Sequence, residues 1–283
     1  MNLLKEKAWA NDRIHSFNEV KSMAEFVRDL SPDIPQVLCH YTRESNIGSM
    51  LRGDTKSVCF WLKNNRDKND MAELQMGIEL MTKVREYLKS ISKSTLLDQL
   101  SDFEHIYSLS FTEGKVNSHM LKTYGPVCLE LDLRGFSGGT PQKCEYCTED
   151  DIDGFAKLYI ADFNRLYYQS SIANLLLWNK AEMDVIQKIA TIKRKKEWGQ
   201  EEEWRIIMHR QQDDSRFITT SNGSQCLVLN IPISFLKRVI LFYNNENKTK
   251  MNKTRAYLKA WKRQNDVRSF DVVMRNSTTF VGF

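Results

Sequence analysis

Three glutamates in a row, Glu201, Glu202 and Glu203, stand in the stretch EWGQEEEWRIIMHR (197–210). Paired carboxylates at this spacing can move a proton or stabilise a developing positive charge. If the stretch is a strand, side chains alternate, and Glu201, Glu203, Arg205 and Ile207 share one face. Glu202, Trp204, Ile206 and Met208 share the other, which apart from Glu202 is a core face. In a helix Glu201 and Glu203 would point about 200° apart and the constellation would dissolve. A solvated strand end fits the same spacing, and Arg205 can form a structural ion pair with either carboxylate. A two-carboxylate hydrolase is another use of Glu201 and Glu203.

Other chemistry-bearing residues are sparse. His40 stands beside Tyr41 in QVLCHYT, and Ser110 and Thr112 flank Phe111 in YSLSFTE. By themselves these are ordinary half-buried or polar strand residues. Cys144 and Cys147 form one CxxC; with no second ligand pair in sequence, a turn with incidental thiols is the simpler reading than zinc. Asn69 or Asp70 reads as a helix N-cap, and Tyr124-Gly125 as a turn.

The elements that would position them follow from periodicity. Residues 1–35 read as a helical segment stopped by Pro32 and Pro35. QVLCHYT and SVCFWL are strand-like, separated by a short helical ESNIGSMLRGD. NDMAELQMGIELMTKVREYLKSI is a long amphipathic helix with Met71, Leu74, Ile78, Met81 and Val84 on one face. EHIYSLSFTEG and PVCLELDL are strands. Residues 150–190 read as helical, an insertion within one domain over 36–283. Strands return with EEEWRIIMHR, RFITT, QCLVLNIP and RVILFY. A basic helix over 250–264 and the strand SFDVVMR follow. Strands, a helical middle and strands again give an α+β fold rather than repeating βαβ units. No GxGxxG, GxxxxGK or GxSxG motif occurs.

At 283 residues, with 41% hydrophobic and 27% charged residues, the chain has the composition of a soluble globular protein. A net charge of +5 mildly favours acidic partners. The charged start MNLLKEKAWANDR has no apolar signal core, and no apolar run is long enough to span a bilayer, so a cytoplasmic protein with reduced cysteines is expected. The charge is concentrated. Lys193, Arg194, Lys195 and Lys196 precede the glutamates. Residues 237–268 hold ten Lys or Arg against Glu246 and Asp266, with Tyr243, Tyr257 and Trp261 interleaved. This is either a solvated face or a phosphate-tracking surface.

Several separated pieces resemble one bacterial family, "domain of unknown function 2971": HYTRESNIGSML, VCFWLKNNRDKNDMAE, YSLSFTE, MLKTYGPVCLELD, KRKKEWGQEEEWRII and IPISFLKRVIL, in order from about residue 37 to 280. Departures are His119-Met120 where that family has Trp before Tyr-Gly, and Asn-Asp-Met for Asn-Asp-Pro. A more distant resemblance is to the ADP-ribosyltransferases, which carry His or Arg, then Ser-x-Ser/Thr, then Glu on successive strands. Here the order is His40, Ser110-Phe111-Thr112 and Glu201-Glu202-Glu203, with 93 residues from Ser110 to Glu203.

That resemblance implies a split β-sheet core, NAD as co-substrate, and transfer of ADP-ribose to nucleic acid or protein. It implies that Glu203 stabilises the oxocarbenium-like transition state and that Glu201 activates the acceptor. It also implies NAD contacts from His40, Tyr41, Thr42, Ser110, Phe111 and Thr112. Toxins and phage-defence effectors belong to that superfamily, some with a neutralising partner protein. A non-catalytic nucleic-acid-binding protein and a two-carboxylate hydrolase are the alternative readings.

Overall fold

Alternation of apolar and polar residues sets the strands, and charged or glycine-containing segments end them. The computed structural model describes residues 33–51, 56–64, 72–90, 106–114, 118–148, 150–154, 156–157, 187, 190–194, 201–209, 216–220 and 223–277. The expected N-terminal helical segment and most of the expected insertion at 150–190 lie outside these residues, as do Asn69 and Asp70.

The strands are β1 (Leu38–Thr42), β2 (Ser57–Asn64), β3 (Ile106–Glu113), β4 (Val127–Leu131), β5 (Gln142–Lys143), β6 (Glu145–Cys147), β7 (Ile192–Arg194), β8 (Glu203–His209), β9 (Phe217–Thr219), β10 (Gln225–Pro232), β11 (Leu236–Tyr243) and β12 (Asp271–Asn276). The helices are α1 (Ile47–Met50), α2 (Ala72–Ser90), α3 (Ser118–Tyr124) and α4 (Lys248–Gln264), with short 3-10 turns at Glu44–Asn46 and Ile233–Phe235. The fold is mixed, with a mostly open sheet and few helices, as the strand–helix–strand pattern of the sequence implies.

The chain divides into two compact units. One, built from Met1–Ile34, Asp70–Phe103 and Glu145–Gly199, packs α2 against β7, which pairs in parallel with β6. The buried stripe of α2 is Met76, Leu80 and Met81. Of the positions expected on its apolar face, Met81 is buried and Ile78 half-buried. In this unit Lys83 pairs with exposed Asp153, and Lys193 is 1% exposed. Lys193 therefore belongs to a core and not to a basic surface flanking the glutamates.

The other unit comprises Pro35–Asn69, Glu104–Cys144 and Gln200–Phe283. It holds a ten-stranded sheet in the order β12-β11-β4-β1-β3-β2-β10-β9, with β8 on β3 and β5 on β8. Most pairs are antiparallel. The exception is β11–β12, joined in parallel through α4, the crossover that parallel strands require. Met251, Leu258 and Trp261 seat α4 with their side chains buried.

The sheet forks at β3. One edge of β3 pairs with β8 from Ile106 to Thr112. The other edge carries two strands in tandem: Leu38 and Cys39 of β1 pair with Glu113 and Thr112, while Lys63 and Asn64 of β2 pair with Ser108 and Tyr107. β1 leaves β3 after Cys39 and continues with β4 through Thr42. Gly125 holds this branch close. At φ +126° it lies where L side chains rarely go, and a Cβ there would stand 2.6 Å from the Thr42 carbonyl oxygen. Gly125→Ala is expected to cost about 1–3 kcal/mol from backbone strain alone, with the clash adding to it. Urea unfolding of the variant at wild-type stability would show that β1 does not need this close approach.

Candidate functional site

β8 begins at Glu203, and the two residues before it form a turn. Glu202 has φ +44°, a left-handed conformation that no strand contains. This corrects the strand reading of all three glutamates. The burial departs from that reading as well: Glu201 and Glu203 are 2% and 3% exposed, and Glu202, which alternation puts on the face of Trp204, is solvent-exposed. The turn, rather than the pleat, tucks Glu201 in and flips Glu202 out. Glu201 and Glu203 are therefore not a solvated rim.

Glu203 lies two residues from Arg205, on the same face of β8. The guanidinium grips the carboxylate with a fork: Nε donates to Oε1 at 2.8 Å and Nη2 to Oε2 at 3.1 Å. Arg205 is 1% exposed, so this pair has little screening by water. The carboxylate of Glu201 faces α3, with His119 Nε2 at 3.9 Å from Oε1.

β3 supplies the polar neighbours. Register places Thr112 opposite Glu203 and Ser110 opposite Arg205, all on one face. Gln142 of β5 lies opposite Arg205 on its other side. Thr112 is 1% exposed, yet its Oγ1 has no hydrogen-bond partner among the described residues. A buried hydroxyl in that state loses its hydration without compensation.

His40 sits at the fork. The Ser110 carbonyl, on the stretch of β3 between its β1 and β2 partners, accepts a hydrogen bond from His40 Nδ1 at 3.0 Å. Strand parity sends the imidazole to the face opposite Glu203, where it meets Phe60 at 5.1 Å and Phe111 at 6.0 Å between ring centroids. His40 and the carboxylates are thus linked through the backbone of Ser110 and occupy opposite sides of β3.

Burial lowers the His40 pKa from its ordinary 6.5, and the bond to Ser110 opposes that shift. The neutral ring donates from Nδ1 and leaves Nε2 as an acceptor. Because the folded pKa is lowered, the unfolded chain binds the extra proton first. Stability contributed by His40 is complete above its ordinary pKa, falls as pH drops below it, and levels off below the folded value. Wild-type stability should therefore fall more steeply between about pH 7 and pH 5 than that of His40→Gln. Equal slopes in urea melts across that window would contradict a buried neutral imidazole.

The remaining expected contacts divide. Thr42 is buried and its Oγ1 accepts a bond from Asn46 Nδ2 at 3.0 Å, tying β1 to the following turn. Tyr41 lies in a core cluster with Cys39, Met120, Cys128, Ile240 and Phe242. Phe111 is fully buried against His40 and Phe60. Neither ring presents a face for stacking, so both are packing residues. Five cysteines, Cys39, Cys59, Cys128, Cys144 and Cys226, are free thiols. Sequence reasoning passed over His119 as a possible partner of Glu201. No local signal marks it, because only the packing of α3 brings it to Glu201.

Among the described residues no helix is long and apolar enough to cross a membrane. Scanned against protein-family models, curated proteins and solved structures, the chain matches none.

Proposed function

We propose that the chain is an ADP-ribosyltransferase-like enzyme that takes ADP-ribose from NAD and attaches it to a macromolecular acceptor. The observation that carries this reading is a buried carboxylate, Glu203, held by Arg205 opposite the buried and unbonded hydroxyl of Thr112. The forked sheet supports it as well, since a split core is what the resemblance implies.

The chemistry suits these groups. The bond between the ribose anomeric carbon and the nicotinamide nitrogen breaks, and its electron pair leaves with nicotinamide. Positive charge grows on the ribose. A carboxylate fixed in a site of low dielectric stabilises that charge without having to reorganise. Glu203 meets this need: the Arg205 fork fixes its orientation. Thr112 Oγ1 is a second polar group on the same face. Glu201, buried beside α3, accepts the proton of the acceptor's nucleophile as that nucleophile bonds to the anomeric carbon. His119 stands beside it.

The experiment is direct. Purified protein is incubated with adenylate-labelled NAD and, separately, with RNA, DNA or cell lysate. Label on a macromolecule with release of nicotinamide is expected. Absence of both from the wild type in every mixture would end the transferase reading. If the enzyme acts as a toxin, its expression slows growth and Glu203→Gln relieves the effect.

The Arg205 fork also favours a second reading, in which Glu203 is purely structural and the protein binds nucleic acid without catalysis. That reading expects no nicotinamide release under any condition.

A further inference from the structure

Helix α4 carries Lys248, Lys250, Lys253, Arg255, Lys259, Lys262 and Arg263, and no Asp or Glu, in its 17 residues. Its spacing sorts these cations. Met251, Leu258 and Trp261 form the stripe buried on the sheet, and Lys262 is held at its margin over the Phe270 ring at 4.6 Å. Lys248, Arg255, Lys259 and Arg263 recur at seven, four and four residues and line one exposed flank. Lys250, Lys253 and Tyr257 recur at three and four and line the other.

Among the described residues Arg255, Lys259 and Arg263 enter no ion pair, and Lys250 reaches only Glu44, at 3.9 Å. The cations from Lys248 to Arg263 extend over about 22 Å at 1.5 Å per residue. Unneutralised like charges repel, so a helix that collects them is suited to an extended polyanion.

We infer that the flank of α4 carrying Lys250, Lys253 and Tyr257 binds single-stranded nucleic acid, with the two lysines on phosphates and Tyr257 stacking on a base. Two observations select this partner. The apolar stripe of α4 is already buried against the sheet, so the helix has no face to lay into a lipid surface. Tyr257 is 43% exposed on the same flank as Lys250 and Lys253, and an exposed ring beside cations is the device that holds unpaired bases. A duplex keeps its bases stacked on one another and offers that ring nothing. The helix also packs against the turn that follows β1, in the same unit as His40 and Glu203. The inference thus names an acceptor class for the transfer proposed above.

The test uses the full chain without NAD. Fluorescence anisotropy follows a labelled 20-nucleotide oligouridylate, the matching oligothymidylate, a duplex of equal length and labelled polyglutamate over a salt series. Wild type should bind both single strands, with affinity falling as salt rises. Lys250→Gln/Lys253→Gln should reduce the slope of log K against log salt by about 1.4, at roughly 0.7 per phosphate contact. Tyr257→Ala should weaken binding about tenfold at unchanged slope. Matching thermal melts show that these exposed substitutions leave the fold intact.

No binding by the wild type overturns the inference, as does a double variant with the wild-type slope. Equal affinity for the duplex or for polyglutamate, with Tyr257→Ala silent, also overturns it and leaves a general polyanion surface. Binding without transfer from NAD overturns only the transferase reading, whereas transfer to protein with no oligonucleotide binding overturns only this one.

Discussion

Arg205→Met is expected to lower the unfolding free energy by about 3–5 kcal/mol. The substitution keeps much of the side-chain length but removes both donors to Glu203, leaving a carboxylate in the interior with its principal partner gone. The penalty comes from desolvation, which the guanidinium fork offsets in the wild type. The double variant Glu203→Gln/Arg205→Met should regain much of the loss, because a neutral pair of similar volume carries no uncompensated charge. Urea unfolding with an unchanged m-value measures both. A loss under about 1 kcal/mol would mean that the pair behaves as an exposed one and that Glu203 is reached by water. Since domains are stable by only about 5–15 kcal/mol, the single variant is also expected to express in soluble form at reduced yield.

The second large effect is on the proposed chemistry. Glu201→Gln should reduce ADP-ribose transfer by about 10²–10⁴-fold, the range for removing a general base. Its melting temperature should stay near that of the wild type, because glutamine matches the shape of glutamate and leaves no buried charge. Transfer and nicotinamide release should separate in this variant. If Glu201 acts only on the acceptor, release to water persists more strongly than transfer. Glu202→Gln is the internal control: its side chain is solvent-exposed, so both stability and transfer should stay close to wild type. Transfer unchanged in Glu201→Gln would remove Glu201 from the mechanism. An equal loss in Glu202→Gln would show that charge at the turn matters rather than the buried carboxylate.

Most of the elements were legible in the sequence. QVLCHYT, YSLSFTE, VCLEL and the strands from 203 to 243 declare themselves by β-branched and aromatic residues and by alternation, and each is a strand of the sheet. The basic helix 248–264 shows an apolar stripe at Met251, Leu258 and Trp261, so its exposed cations follow from helical spacing. The burial of Glu201 and Glu203 around an exposed Glu202 was not legible. Alternation puts Glu202 on the core face with Trp204, while a left-handed conformation at Glu202 turns it to solvent.

What the sequence could not show is which strands lie beside one another. Pairing depends on long-range register, and nothing local in β3 states that Thr112 faces Glu203 or that β1 departs after Cys39. The same holds for side-chain destiny. Tyr41 and Phe111 look available for stacking because aromatic residues suit both cores and ligands, and tertiary packing decided for the core. His40 was legible as a candidate, but its side of the sheet was not, since the fork and strand parity set it. The residue types by themselves determined a mixed fold with a paired-carboxylate stretch and a basic helix. Only the tertiary structure decided that Arg205 grips Glu203, that Thr112 is left without a hydrogen bond beside it, and that Lys193 is buried. Composition and periodicity report how much surface each element must bury, while charge pairing and desolvation depend on neighbours far apart in the chain.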